Sequence, residues 1–451
     1  METRLTDVRR ILNTVVGNRM PNHSGKGKFW NLPRNDFVAA VVRGLPVVVP
    51  GDPAASGLIK AIRGTDPFDR PPLYRMPRNG PYVSDADIAF IEGWIRDGAP
   101  DVDARARQPH IGELTAELTT AKPGKHGEEC LKRSVRAAIA LEFATVPPYL
   151  TALWSIKDQR ARVAGTLLDI AIEEMLHMGL ACNMLVALGE HPALATGDFV
   201  PTYPGHLPGD VNPMLEVGLR WLTPAQVKVF MDIEYPEGGP ITLLSSRSFD
   251  TIGAFYAALL DAFERVNPCL DTTYQRGEWR LTKLATLANV RDAINLIRRQ
   301  GEGSHDDQSP LEDPSDPKSG LAHFYQFRGV YFGAEYVHDP VSHVWSHSGP
   351  PVVLPEVWPM ADIPPGGYQP ADVPDVGVRA KIADFNRAYS TMLRQLEAVW
   401  RDPNAPLDDG SASDPVVTMR ELGPIAQGII ADVAHARPDG RGTYGPCFRL
   451  I

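Results

Sequence analysis

A mainly α-helical protein, with a bundle of long helices behind a small helical N-terminal unit, is what this sequence predicts. Three observations carry the prediction. From about residue 129 onward, apolar residues recur at helical spacing over long segments separated by Pro/Gly-rich breaks. That part contains no convincing pair of strands and no repeat of fixed period. Two of its longest patterns, near 129–157 and 161–189, follow each other through a short connection, which makes them antiparallel neighbours.

Composition bounds the rest. The length of 451 residues exceeds the usual single-domain range, and 43% hydrophobic with 22% charged residues is the ordinary globular balance. The 42 prolines and 39 glycines imply long structured loops. A net charge of -10 and the lack of a dense Lys/Arg run argue against nucleic acid or an anionic membrane surface as the main partner. Cys130, Cys182, Cys269 and Cys447 lie far apart without a C-x-x-C pair, which suits a reducing compartment. "METRLTDVRRILNTVVGNRM" has no continuous apolar stretch, and no segment approaches the roughly 20 apolar residues of a bilayer span. A cytoplasmic protein acting on small molecules, without nucleic acid or membrane, is therefore expected.

The elements follow in order. Residues 1–110 form a unit of short helical patterns closed by "SDADIAFIEGWIRDGAPD", in which Ser84 is the N-cap, Asp87 lies in the first turn, Ile88, Ile91 and Ile95 share one face and Gly98 is the stop. Residues 111–128 read as a polar linker. A helical domain spans 129–437, with helices near 129–157, 161–189, 223–234, 250–266, 282–300, 319–335, 376–401 and 416–434, and 438–451 is a C-terminal tail. The proline-rich segments 190–222 and 336–375 suit loops that wall a pocket or cover the bundle. Pro147 and Pro148 in "TVPPYL" either distort the first long helix or end it.

Chemistry enters through charged residues on apolar faces. In "AIALEFATVPPYLTALWSI", Glu142 has Ala138, Ile139, Thr145, Val146 and Tyr149 as its same-face neighbours. In "IEEMLHMGLACNMLVALG", Glu174 lies among Leu167, Ile170, Met178 and Ala181, and His177 completes E-x-x-H one turn on. Burying such groups costs several kcal/mol unless something pairs with them. Divalent iron or manganese takes carboxylate oxygen and imidazole nitrogen, and i, i+3 spacing aims both at one point. His323 in "GLAHFYQFRGVYFG" and Glu302 in "IRRQGEGSHDD" are further candidate ligands, although taken alone the first is more often a hydrogen-bonded core histidine and the second more often a solvated edge or half of a buried salt bridge. Glu173, whose i-4 neighbour is Asp169, belongs to the outer shell.

Taken together, "LEFATVPPYLTALWSI", "IEEMLHM", "FMDIEYPE", "TIGAFY", "QGEG", "HFYQF" and "MRELGPIAQGII" resemble the ferritin-like domain family that includes the iminophenyl-pyruvate dimer synthases of bisindole pigment pathways. The resemblance spans roughly 129–437. It implies a ferritin-like four-helix bundle with long loop insertions, an oxidative reaction on an amino-acid-derived substrate, and a metal site of Glu142, Glu174, His177, His323 and Glu302. Family members often carry Glu where Ala254 stands here, and complete a second E-x-x-H where Gly320 stands. Such a loss leaves one metal, shifts ligation to Glu302 or Glu264, or abolishes it.

The N-terminal unit resembles a small c-type cytochrome through "YRMP" around Met76 and its closing helix. Covalent haem needs C-x-x-C-H, and "RMPNH", Arg19 to His23, has no cysteine. A haemless module is the preferred reading, with non-covalent haem on His23 and Met76 the lesser one. The expected protein is thus a non-haem iron oxidoreductase of secondary metabolism with one or two ions, manganese being possible. It would act on an aromatic or amino-acid-derived molecule, with a pathway enzyme or a second copy as partner. The alternative is a redox-inactive scaffold or substrate-binding partner.

Overall fold

The structure, a computed structural model, describes residues 4–17, 19, 21, 23, 27–32, 34–71, 73–96, 98–99, 111–212, 215–236, 252–303, 309–316 and 318–451. As the sequence predicts, it is mainly helical: among the described residues are thirteen α-helices and two two-stranded ribbons. The chain divides into two compact units, Met1–Arg107 and Gln108–Ile451.

The first unit holds α1 (Arg4–Val16), α2 (Arg34–Val38), the β1–β2 ribbon (Val41–Val42 with Leu45–Pro46), α3 (Gly57–Arg63) and α4 (Asp85–Arg96). Its own core is built on Leu5, Val8, Phe37, Ile88, Ile91 and Trp94, with Phe37 and Trp94 stacked at 5.7 Å. Ser84 caps α4, accepting from the Asp87 N–H at 3.1 Å. His23 Nδ1 lies 2.7 Å from its own loop's Gly27 carbonyl, and its ring meets Phe29 edge-on.

The second unit opens with a correction. Residues 111–128, expected to be a linker, carry α5 (Ile111–Thr120) and the start of the next helix. Leu114, Leu118 and Ala121 are buried at i, i+4, i+7, a narrow stripe hidden among polar neighbours. The long pair follows: α6 (Lys125–Trp154) and α7 (Arg162–Ala187), packed along each other and joined by residues 155–161. Contrary to expectation, both are long and apolar enough by length and composition to cross a bilayer. Here 94% and 83% of their most apolar windows are buried inside the protein, where they form the centre of its core.

Around them lie α8 (Pro224–Ile233), α9 (Ile252–Val266), α10 (Leu287–Glu302) and α11 (His323–Phe332), then the β3–β4 ribbon (Val337–His338 with Trp345–Ser346), α12 (Val376–Val399) and α13 (Pro415–Ile430). The ribbon is a strand pair the sequence reading missed. Helix α10 starts at 287 rather than 282 because Thr286 and Asn289 form a capping box there. It stops at Gly303, whose φ of 90° suits glycine. Helix α11 starts at 323 because residues 320–322 bond instead to 310–312, through a Leu311–Leu321 bridge and Ala322 N–H to Pro310 O.

Helix α6 runs unbroken through Pro147 and Pro148. Neither proline has an N–H, so the Phe143 and Ala144 carbonyls lose their helical donors. The buried Tyr203 hydroxyl, from the 190–222 segment, donates to Ala144 O at 2.7 Å. The expected C-terminal tail is also core: residues 443–448 are all buried, and Phe448 stacks on Trp154 at 5.9 Å. All four cysteines are free, and only Cys269 is exposed.

Candidate metal centre

Five side chains from four helices meet in the core of the second unit. Helix α6 supplies Glu142 and α7 supplies Glu174 and His177 one turn apart. Glu234 stands at the C-terminal cap of α8 and His323 begins α11. None is more than 6% exposed. One ligand atom each from Glu142, Glu174 and His177 lies within 4.8 Å of the others, and the same holds for Glu174, Glu234 and His323. Glu174 belongs to both groups.

The arrangement is nearly symmetric about that carboxylate. Glu174 Oε2 lies 3.8 Å from His177 Nδ1, and Oε1 lies 2.8 Å from His323 Nδ1. Glu142 Oε2 is 3.5 Å from His177 Nδ1, while its Oε1 accepts a short hydrogen bond from the Tyr256 hydroxyl. Glu234 Oε2 is 3.9 Å from His323 Nδ1, while its Oε1 accepts from the Tyr149 hydroxyl at 2.5 Å. Each outer carboxylate therefore has one oxygen tied to a tyrosine and the other turned to the cluster. Thr145 Oγ1 lies 3.2 Å from Glu174 Oε2 and 2.7 Å from the Glu142 carbonyl.

Burial and mutual contact shift the proton affinities of these groups away from their ordinary values. Burial pushes Glu142 up to about 7, against the pull of His177. Burial and the Glu174 charge push Glu234 up to about 8. Burial also disfavours charge on Glu174, but the two imidazoles outweigh it and hold that carboxyl well below its usual range. Burial would keep the imidazoles neutral, yet Glu142 and Glu174 raise His177 well above its usual value, and Glu173 and Glu174 raise His323 to about 10.

The residues fit a divalent cation. His323 Nδ1 is buried and, though close to Glu174, makes no hydrogen bond of acceptable direction. Three carboxylates and two imidazoles are the oxygen and nitrogen donors that iron or manganese takes.

Glu302 stands apart from both groups. Its Oε1 accepts from the Gly253 N–H at 2.7 Å, and it lines a pocket shared with Glu142, Glu174, His177 and Glu234, with Leu141, Ile233, Ile252 and Ile297 as apolar wall. Among the described residues of the proline-rich segments none lines this pocket, which leaves the alternative that they cover the bundle: the described lining comes from the helices and their ends. Glu264, the other substitute for a missing ligand, faces Arg291 at 2.6 Å and is 41% exposed, away from the cluster. Glu173 lies outside the two groups and bonds to His323 Nε2 at 2.9 Å.

Sequence reasoning missed Glu234, Gln300 and the two tyrosines. A signal existed for Glu234: Val227, Phe230, Met231 and Glu234 follow i, i+3, i+4, i+7, the same inward pattern that marks Glu142.

The long helices bring carboxylates and imidazoles together in the core, where helical bundles build metal sites. Residues 135–332, less than half of the chain, match the ferritin-like family model. Among solved structures, the chain is similar to a ferritin-like protein from Caulobacter vibrioides, with 21% identity over 73% of this chain and 100% of that one and a TM-score of 0.48. No curated protein matches it.

Proposed function

We propose that the protein is a non-haem metal-dependent oxidoreductase with a two-ion centre, iron or alternatively manganese, held by Glu142, Glu174, His177, Glu234 and His323. One observation carries this reading: Glu174 presents one oxygen to each of two three-residue groups. Glu234 supplies a carboxylate to the group that Ala254 and Gly320 left in doubt. A bound iron centre supplies activation of dioxygen or peroxide.

The chain's own residues prepare the site for that chemistry. Tyr149 and Tyr256 donate to Glu234 and Glu142 and fix which oxygen faces the ion. Burial and the nearby carboxylates push both phenols well above their usual value, so they keep their protons. Leu141, Ile233, Ile252 and Ile297 offer an apolar wall for a small aromatic or amino-acid-derived molecule and exclude water. The resemblance to the iminophenyl-pyruvate dimer synthases supports a role in secondary metabolism, with a pathway enzyme or second copy as partner, and the free, scattered cysteines support a cytoplasmic location.

Elemental analysis of the purified protein tests this. About two equivalents of iron or manganese are expected, and Glu174→Ala, which strips both groups at once, should lose them while the far-UV circular dichroism stays unchanged. A metal-free, correctly folded wild type would instead favour a redox-inactive scaffold.

A further inference from the structure

Behind the two imidazoles lies a buried amide. Gln300, on α10, is 3% exposed. Its Oε1 lies 2.9 Å from His177 Nε2, and its Nε2 donates to Glu173 Oε1 at 3.2 Å and Glu312 Oε2 at 3.4 Å. The other Glu173 oxygen lies 2.9 Å from His323 Nε2. A primary amide has two N–H groups and one carbonyl. Here two carboxylates claim the N–H groups, so the orientation is forced and the carbonyl must accept from His177 Nε2–H. Glu173 likewise accepts from His323 Nε2–H. Both rings are thereby held with Nε2 protonated and Nδ1 turned toward the carboxylates.

Gly320 is part of the same construction. A Cβ there would fall 2.5 Å from Glu312 Oε1, so a larger residue would have to push that carboxylate from its place beside the amide.

We infer that Gln300 is a positioning residue that couples the two ligand groups, orienting His177 directly and His323 through Glu173, so that its loss weakens metal binding at both positions. The inference rests on the two-ion reading above. If Gln300 were only packing between helices, replacing it would lower stability and leave the two affinities and the ligand field alone.

Metal-free full-length protein titrated with cobalt(II), followed by its visible d–d absorption and by elemental analysis, tests this. The two binding steps are assigned with His177→Ala and His323→Ala. In Gln300→Met both steps should weaken by about 10–100-fold and the cobalt spectrum should change. Glu173→Gln, close in shape, cuts the link further out and should weaken the His323 step while sparing the His177 step; it carries the test if Gln300→Met does not fold. Weakening confined to the His177 step in Gln300→Met, or equal effects of Glu173→Gln on both steps, would overturn the coupling. Two cobalt ions bound unchanged by both variants would overturn it while leaving the metal centre standing. A wild type that takes up no cobalt would remove both.

Discussion

Glu142, Glu234 and His323 share a property with consequences for pH: each binds its proton more tightly in the folded, metal-free protein than in the open chain, at about 7, 8 and 10 respectively. A group raised in this way adds stability that is complete below its ordinary value and is lost as pH climbs through the folded one. Glu174, held low, acts in the opposite sense and loses its contribution in acid. The metal-free protein should therefore melt at lower temperature at about pH 9 than at about pH 6. Ions held as proposed would displace those protons, so the stabilisation they add should grow with pH. Thermal midpoints at the two pH values, with and without metal, check this; parallel trends in the two forms would contradict it. At this scale the sequence was informative where a charge interrupts a long apolar stripe, as at Glu142, Glu174 and His177. It was silent where the group is neutral: Gln300 closes an apolar face of Val290, Ala293 and Ile297, and an amide there carries no charge to mark it.

At the scale of elements, Gly253 and Glu302 form a reciprocal pair between α9 and α10. A Cβ at 253 would fall 2.1 Å from Glu302 Oε2, in the space the carboxylate fills while it accepts the Gly253 N–H. Gly253→Ala should push the Glu302 carboxylate aside and lose its bond from the 253 N–H, at a cost of about 0.5–1.5 kcal/mol, read as a lower urea midpoint at unchanged slope. Glu302→Ala should relieve that clash, so the double variant should be less destabilised than the sum of the singles. Long helices were legible because α6 and α7 bury nearly their whole circumference. Less legible was α5, in which Leu114 and Leu118 are the only buried residues among those described, and so were the β3–β4 strands, two residues each and too short for alternation to register. The starts of α10 and α11 were misplaced by local hydrogen bonding that competes with the helix: a capping box in one case and a bridge to Leu311 in the other.

At the scale of the whole molecule, each unit has a separate hydrophobic cluster, and the candidate ligands all lie in the second. Calorimetry should resolve two transitions, and added iron(II) or manganese(II) should raise only the one belonging to residues 108–451. A single transition, or a shift in both, would contradict the assignment. The burial of the ligand set carries a last consequence. With no candidate ligand more than 6% exposed, exchange of an ion held there should be slowed by the local opening it requires. Occupancy would then be under kinetic control: which element is trapped would reflect what the medium held as the chain collapsed, and dialysis of the finished protein would erase that history slowly.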